Sequence, residues 1–308
     1  MPFLFWKLSL FSFLNISDTI IKKGGASMSI SEVMSESFVI PLEDNLYLRG
    51  EVHAPKERTK KPVIIICHGF KGYKDWNFFP HLADELARKD FYAIRFNFSC
   101  NGVSSDDFDE LDKFAINTYS REQADLSVLL DYMTEKKLPF SEQFDMDRIG
   151  IIGHSRGGAN SIIFASEHPE IKAVVTWNGV SEVDFWGEDI KEEIRKNGVG
   201  YIINQRTGLK MPLKANVFED IEKNKERFNI LSKLKSLKAP VHIIQGDADS
   251  EGLVNGAYKM EETAEQHSLK IIPGGDHTFN AAHPLGEPTE QLQQAIEATV
   301  TFLKKSLT

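Results

Sequence analysis

Two cysteines in 308 residues, with no close pair among them, exclude a disulfide framework and leave no zinc or dithiol motif to consider. Cys67 falls in an apolar run and Cys100 in a polar loop segment, so both are expected as free thiols in a reducing, cytoplasmic setting. Dense runs of Lys and Arg are also missing and the net charge is -9, which argues against nucleic acid or an anionic membrane as a partner. No apolar run reaches the roughly 20 residues that a bilayer-spanning helix needs. Phe3 to Leu14 comes nearest, but it is short and has neither a basic stretch ahead of it nor a small-x-small cleavage site. Residues 1–27 are therefore expected to be a disordered extension or to precede a true start at Met28, with membrane association or export as the alternative. Internal repeats and low-complexity tracts are absent too. What remains is an ordinary globular composition, long enough for a sizeable core.

Residues 37–42 and 46–52 alternate around Glu43-Asp44-Asn45 as an antiparallel hairpin would. Beyond them the period changes. Val63-Ile64-Ile65-Ile66-Cys67, and the runs at 149–152 and 241–244, are continuously apolar, as strands covered on both faces are. Helical spacing links them, through Phe79, Leu82 and Leu86 and through Leu126, Leu129, Leu130 and Met133. Further strands are expected at 92–96, 173–177 and 269–272, and a closing helix carries Leu292, Ile296, Val300 and Leu303. This alternation predicts an α/β domain over 28–308 with a mostly parallel central sheet flanked by helices. One segment breaks it, an insertion at about 181–236. It holds a charged helix near 189–195, a hairpin of 201–205 with 209–213, and a helix near 221–234. At the carboxyl end of a parallel sheet, such an insertion would sit over the ligand crevice as a cap. Its Trp186, Tyr201 and Met211, with Phe185 and Phe218, are candidates to line a substrate pocket or to form the cap's own core.

Gly153-His154-Ser155-Arg156-Gly157 follows an apolar strand and opens a helical pattern, the setting of a G-x-S-x-G nucleophile elbow. Glycines flank the serine because strand and helix nearly touch there. A serine hydroxyl needs a base within hydrogen-bond reach and a carboxylate that fixes the base's tautomer. Asp247-Ala248-Asp249 ends the strand at 241–246, and Gly275-Asp276-His277 follows the next strand. The expected triad is Ser155, Asp249 and His277. Asp249 is preferred to Asp247 because the residue next to the strand shapes the turn. Backbone donors for an oxyanion are expected from Arg156, at a helix N-terminus, and from Phe70 in the loop His68-Gly69-Phe70. His154 is too near its neighbour to act as its base, and His283 is a rim candidate.

On these motifs, residues 36–308 resemble an α/β-hydrolase. The loop running on through Lys71-Gly72-Tyr73-Lys74-Asp75-Trp76, the segment Arg95-Phe96-Asn97-Phe98-Ser99 and the inserted cap are similar to bacterial carboxylesterases of the cinnamoyl or feruloyl esterase type. Dienelactone hydrolases are a looser likeness, since their usual nucleophile is cysteine. Monoacylglycerol lipases and serine aminopeptidases share the core. The resemblance implies hydrolysis of short acyl or aryl esters through an acyl-enzyme, with no cofactor and no metal, a small-molecule ester as partner and a homodimer compatible with it. An aminopeptidase would instead use cap acids such as Asp184, Glu188 and Asp189, and a silent binding fold is the remaining alternative.

Overall fold

Apolar residues that alternate between two faces of one sheet account for most of the architecture. The computed structural model describes residues 33–308 apart from 56, 58 and 106, so the expected extension 1–27 and Met28 lie outside the described residues. A hairpin of β1 (Val33–Pro41) and β2 (Tyr47–Pro55) opens the fold. Then come β3 (Lys61–Cys67), α1 (Phe79–Arg88), β4 (Tyr92–Asn97), α2 (Leu111–Phe114), α3 (Tyr119–Thr134), β5 (Phe144–His154), α4 (Arg156–Glu167) and β6 (Ile171–Trp177). After the insertion follow β9 (Val241–Gly246), α8 (Glu251–Glu261), β10 (Ser268–Ile272) and α9 (Glu290–Ser306). The inserted elements are α5 (Glu188–Asn197), β7 (Val199–Ile203), β8 (Lys210–Lys214), α6 (Asn216–Lys223) and α7 (Ile230–Ser236).

The eight-stranded sheet has the order β1-β2-β4-β3-β5-β6-β9-β10. β1 pairs with β2 and β2 with β4 antiparallel, and every other pairing is parallel. Val63, Ile65 and Cys67 of β3 pack into a cluster with Leu126 and Met133 of α3, Ile162 of α4 and Met260 of α8. Ile64 and Ile66, one residue out of phase, join Leu82 of α1 and Leu303 of α9. Helices on both faces explain why these strands read as unbroken apolar runs. Cys67 and Cys100 are free and buried.

The insertion departs from expectation in two details. β7 stops at Ile203, two residues short, because the Asn204 side chain accepts the Arg206 amide at 3.1 Å and draws the chain into a turn. The helix expected near 221–234 is broken in two. Asn224 donates its side chain to the Asp220 carbonyl at 2.8 Å, and Asn229 caps α7 by accepting the Ser232 amide at 3.0 Å. Both asparagines compete with helical backbone bonding. α8 was not anticipated, as its fully buried residues are only Gly256, Ala257 and Met260.

Trp177 closes β6 fully buried, and its indole N–H donates to the Thr299 hydroxyl of α9 at 2.8 Å. Thr299→Val keeps the shape but strands that donor in the core, and is expected to cost about 1–3 kcal/mol. Urea denaturation measures it, and a change below about 0.5 kcal/mol would show that the bond adds little.

Candidate active site

β5 lies between β3 and β6 in the sheet and delivers Ser155 between its own last residue and the first turn of α4. The serine has φ 55° and ψ -120°, a left-handed conformation that L-residues adopt at a cost of about 1–3 kcal/mol. Main-chain contact holds it there. A Cβ on Gly153 would lie 2.0 Å from the Gly157 carbonyl oxygen, and one on Gly157 would lie 2.4 Å from the Cys67 carbonyl oxygen. The Ser155 amide donates to the Trp177 carbonyl at 2.9 Å, and its own carbonyl accepts the Gly158 amide at 2.9 Å.

The ends of β9 and β10 bring the acid and the base together. His277 Nδ1 lies 2.8 Å from Asp249 Oδ2. A carboxylate can only accept, so Nδ1 carries the proton and Nε2 is left as the basic nitrogen. Burial alone would raise the Asp249 carboxyl, but the hydrogen bond and charge of His277, with the Ser250 amide and Gln245, hold it below its ordinary value. Asp247 stands apart from this pair and accepts the Gly274 amide at 2.6 Å.

Three residues to which sequence reasoning gave no role fix these loops. His154 donates from Nε2 to the His277 carbonyl at 2.8 Å. Asn178 donates to the same carbonyl at 3.0 Å and accepts the Gly246 amide at 2.8 Å. Gln245 reaches Asp249 Oδ2 at 3.3 Å. His154 was set aside because adjacency bars it from being the base. Its position as the last residue of β5, opposite in pleat to Gly153, was the usable signal for a structural role.

Arg156 is the first residue of α4, where a helix leaves the amide unpaired. Its side chain is almost wholly buried, donating from Nε to Glu122 Oε2 at 2.7 Å, with the guanidinium 3.8 Å from the Tyr119 ring centre. Asn117 and Asn160 also donate to Glu122, each at 2.8 Å. Burial would depress the Arg156 charge, and Glu122 more than restores it. The same guanidinium sits 5.9 Å from the Phe70 ring, so the side chain of one expected oxyanion donor faces that of the other. Gly69 brings the Phe70 loop close, since a Cβ there would lie 3.0 Å from Ser155 Cβ.

Ser155, His277 and Phe70 line one cleft of about 360 Å³, shared with Lys71, Arg206 and His283. The Asn77 amide donates to His283 Nδ1 at 2.9 Å, and His283 Nε2 lies 3.0 Å from the Tyr73 hydroxyl. Tyr73 bonds to Asp107, which also pairs with Arg206 of the β7–β8 turn. The expected pocket residues are not gathered in this cleft. Trp186 packs on the Phe70 ring at 5.1 Å, Met211 is fully buried in an apolar cluster that the cap shares with Tyr73, Phe108 and Phe114, and Tyr201 is 48% exposed. Alternation along β7 and β8 turns Tyr201 away from the side that Met211 buries. Among the described residues no three His, Cys, Asp or Glu side chains converge as a metal ligand set, and no helix is long and apolar enough to cross a membrane.

Comparison with known proteins agrees with this fold. Residues 62–197 match the model of the alpha/beta hydrolase fold, and residues 131–304 match that of the BAAT / Acyl-CoA thioester hydrolase C terminal. Cutinase est2 of Thermobifida alba is 23% identical over 52% of this chain and 47% of its own length. The 2,6-dihydropseudooxynicotine hydrolase of Paenarthrobacter nicotinovorans is 25% identical over 52% of this chain and 39% of its own. The chain thus spans about half or less of the length of the curated relatives it matches. Among solved structures, Est1E from Butyrivibrio proteoclasticus superposes with a TM-score of 0.63 at 20% identity, covering 88% of this chain and 98% of that one. A dienelactone hydrolase from Anabaena variabilis gives 0.59 at 15% identity, covering 90% and 99%.

Burial, with the neighbouring His277 charge, pushes the His154 imidazole down from 6.5 to about 3. The unfolded chain takes up this proton as pH falls through 6.5, whereas the folded chain refuses it until about 3. Stability from this group is therefore complete above 6.5 and is lost progressively below it. His154→Gln keeps an amide donor near the Nε2 position, and it is expected to flatten the stability profile over that window. Urea denaturation at stepped pH checks this, and an unchanged slope would contradict it.

Proposed function

The chain belongs to the α/β-hydrolase superfamily and, through residues 131–304, to the family described as BAAT / Acyl-CoA thioester hydrolase C terminal, and on that premise we propose that it is a serine hydrolase of carboxylic esters with short acyl or aryl groups. The observation that carries the reading is the 2.8 Å bond between His277 Nδ1 and Asp249 in the cleft that Ser155 also lines. With Nδ1 committed to the carboxylate, His277 Nε2 takes the Ser155 proton as Oγ attacks the ester carbonyl. The amides of Phe70 and Arg156 receive the developing oxyanion, helped by the positive end of the α4 dipole. His277 returns the proton to the departing alcohol, then activates water to release the acyl group from Ser155. Asp249 stays ionised throughout and stabilises the imidazolium.

The size of the cleft, about 360 Å³, suits a small ester better than a long acyl chain. The cap acids do not favour a peptidase: Asp184 is paired with Lys191 at 2.8 Å, and Glu188 with Arg195 at 3.1 Å. A thioester is a second substrate class for the same steps, favoured by the family match over 131–304. Two free, buried thiols fit a reducing cytoplasmic setting.

Ser155→Ala is expected to abolish hydrolysis of p-nitrophenyl acetate and methyl ferulate without lowering the melting temperature. Asp249→Asn should cost about 10³–10⁴-fold in kcat, and Asp247→Asn less than about ten-fold. Serine-independent turnover would reject the nucleophile, and the reverse ranking of the two aspartates would move the acid to Asp247.

A further inference from the structure

The cleft is lopsided in charge. Its lining includes Lys71 and Arg206 but no carboxylate side chain, although the chain as a whole carries -9. Lys71 directly follows Phe70 and has φ +58°, a conformation seldom taken by a residue with a side chain. The residue is partly buried, and its ammonium has no ion pair or hydrogen bond among the described residues. Burial pushes the ammonium below its ordinary value, with no neighbouring charge to counter the effect. A cation withdrawn from water without a counter-ion is a standing cost that a bound anion would offset. Arg206 approaches from the cap. Its Nη2 is tied to Asp107 Oδ2, and that single carboxylate oxygen leaves other donors of the guanidinium fork free for a ligand.

We propose that Lys71 and Arg206 form an anion subsite beside Ser155, so that the preferred esters carry a carboxylate or phosphate near the scissile carbonyl. This rests on the hydrolytic reading above and narrows its substrate class. Two substrate pairs separate the sources of the charge. p-Nitrophenyl hemiglutarate against p-nitrophenyl valerate places it on the acyl side, and 1-butyrylglycerol 3-phosphate against 1-butyrylglycerol places it on the alcohol side.

In the wild type, the anionic member of at least one pair is expected to have the higher kcat/KM. That preference should fall about ten-fold in Lys71→Met, the loss of one modest charged contact, fall also in Arg206→Met, and persist in Lys71→Arg. The ratio compares two substrates in one variant, so general damage to the adjacent Phe70 loop cancels. Preference for the neutral ester in both pairs, or a ratio unmoved by Lys71→Met, would overturn the subsite. Calorimetric binding of p-nitrophenyl hemiglutarate and of 1-butyrylglycerol 3-phosphate to Ser155→Ala needs no turnover, and adding Lys71→Met should weaken at least one of them about ten-fold. Binding unchanged by Lys71→Met, or absent, for both overturns the subsite. Lys71-dependent binding without hydrolysis of any ester in the wild type would keep the subsite and reject the hydrolytic reading.

Discussion

Contact between three stretches of main chain sets the position of Ser155. β5 and α4 meet at Gly153 and Gly157, and the Cys67 carbonyl of β3 closes on Gly157 from the neighbouring strand. Backbone cannot adopt another rotamer, so this contact leaves the serine nowhere to relax, and its left-handed φ persists because sheet and helix are each fixed by large apolar clusters. The same closeness recurs where acid meets base, since a Cβ on Gly246 would lie 2.1 Å from the Gly275 carbonyl oxygen. Asp249 and His277 therefore hang from strand ends that are already in contact before their side chains bond.

Polar groups set the orientation within that frame. Asn178 and His154 converge on one carbonyl, that of His277, and Asn178 also holds the amide of Gly246. One side chain thus ties the acid-bearing strand to the base-bearing loop. On the other side of the serine, the Arg156–Glu122 pair is a buried ion pair whose removal on one side alone would strand a charge in the core. Its contact with both Tyr119 and Phe70 makes the side chain of the first α4 residue a brace for the loop facing it.

Much of this was legible in the sequence, for identifiable reasons. Parallel strands covered on both faces leave unbroken apolar runs such as 63–67, and a serine at a strand-to-helix turn leaves glycines at fixed offsets. Order along the chain then assigned Asp249 and His277 to successive strand ends. The rest was hidden because it depends on side chains meeting across long sequence distance. Nothing near Arg156 in the sequence announces Glu122, and nothing near Asn178 announces His277. In the cap the pattern left two roles open. Tyr201 and Met211 are both apolar enough to line a pocket or a core, and strand alternation sends one to the surface and the other into the apolar seam with Tyr73, Phe108 and Phe114. Asn224 and Asn229 broke a helix that periodicity alone would have carried through.

The hydrogen bonds at the cleft rim run in one direction only. Because a backbone amide donates to His283 Nδ1, the ring proton must reside on Nε2 and point at the Tyr73 oxygen. The tyrosine proton is then committed to Asp107, whose charge in turn receives Arg206. Each group in the series has its polarity dictated by the one before, starting from a peptide bond that cannot titrate. Both ring nitrogens of His283 are engaged, and burial pushes the ring below its ordinary value, so a second proton is disfavoured there. The tether between cap and core is for that reason a polarised wire with a fixed sense.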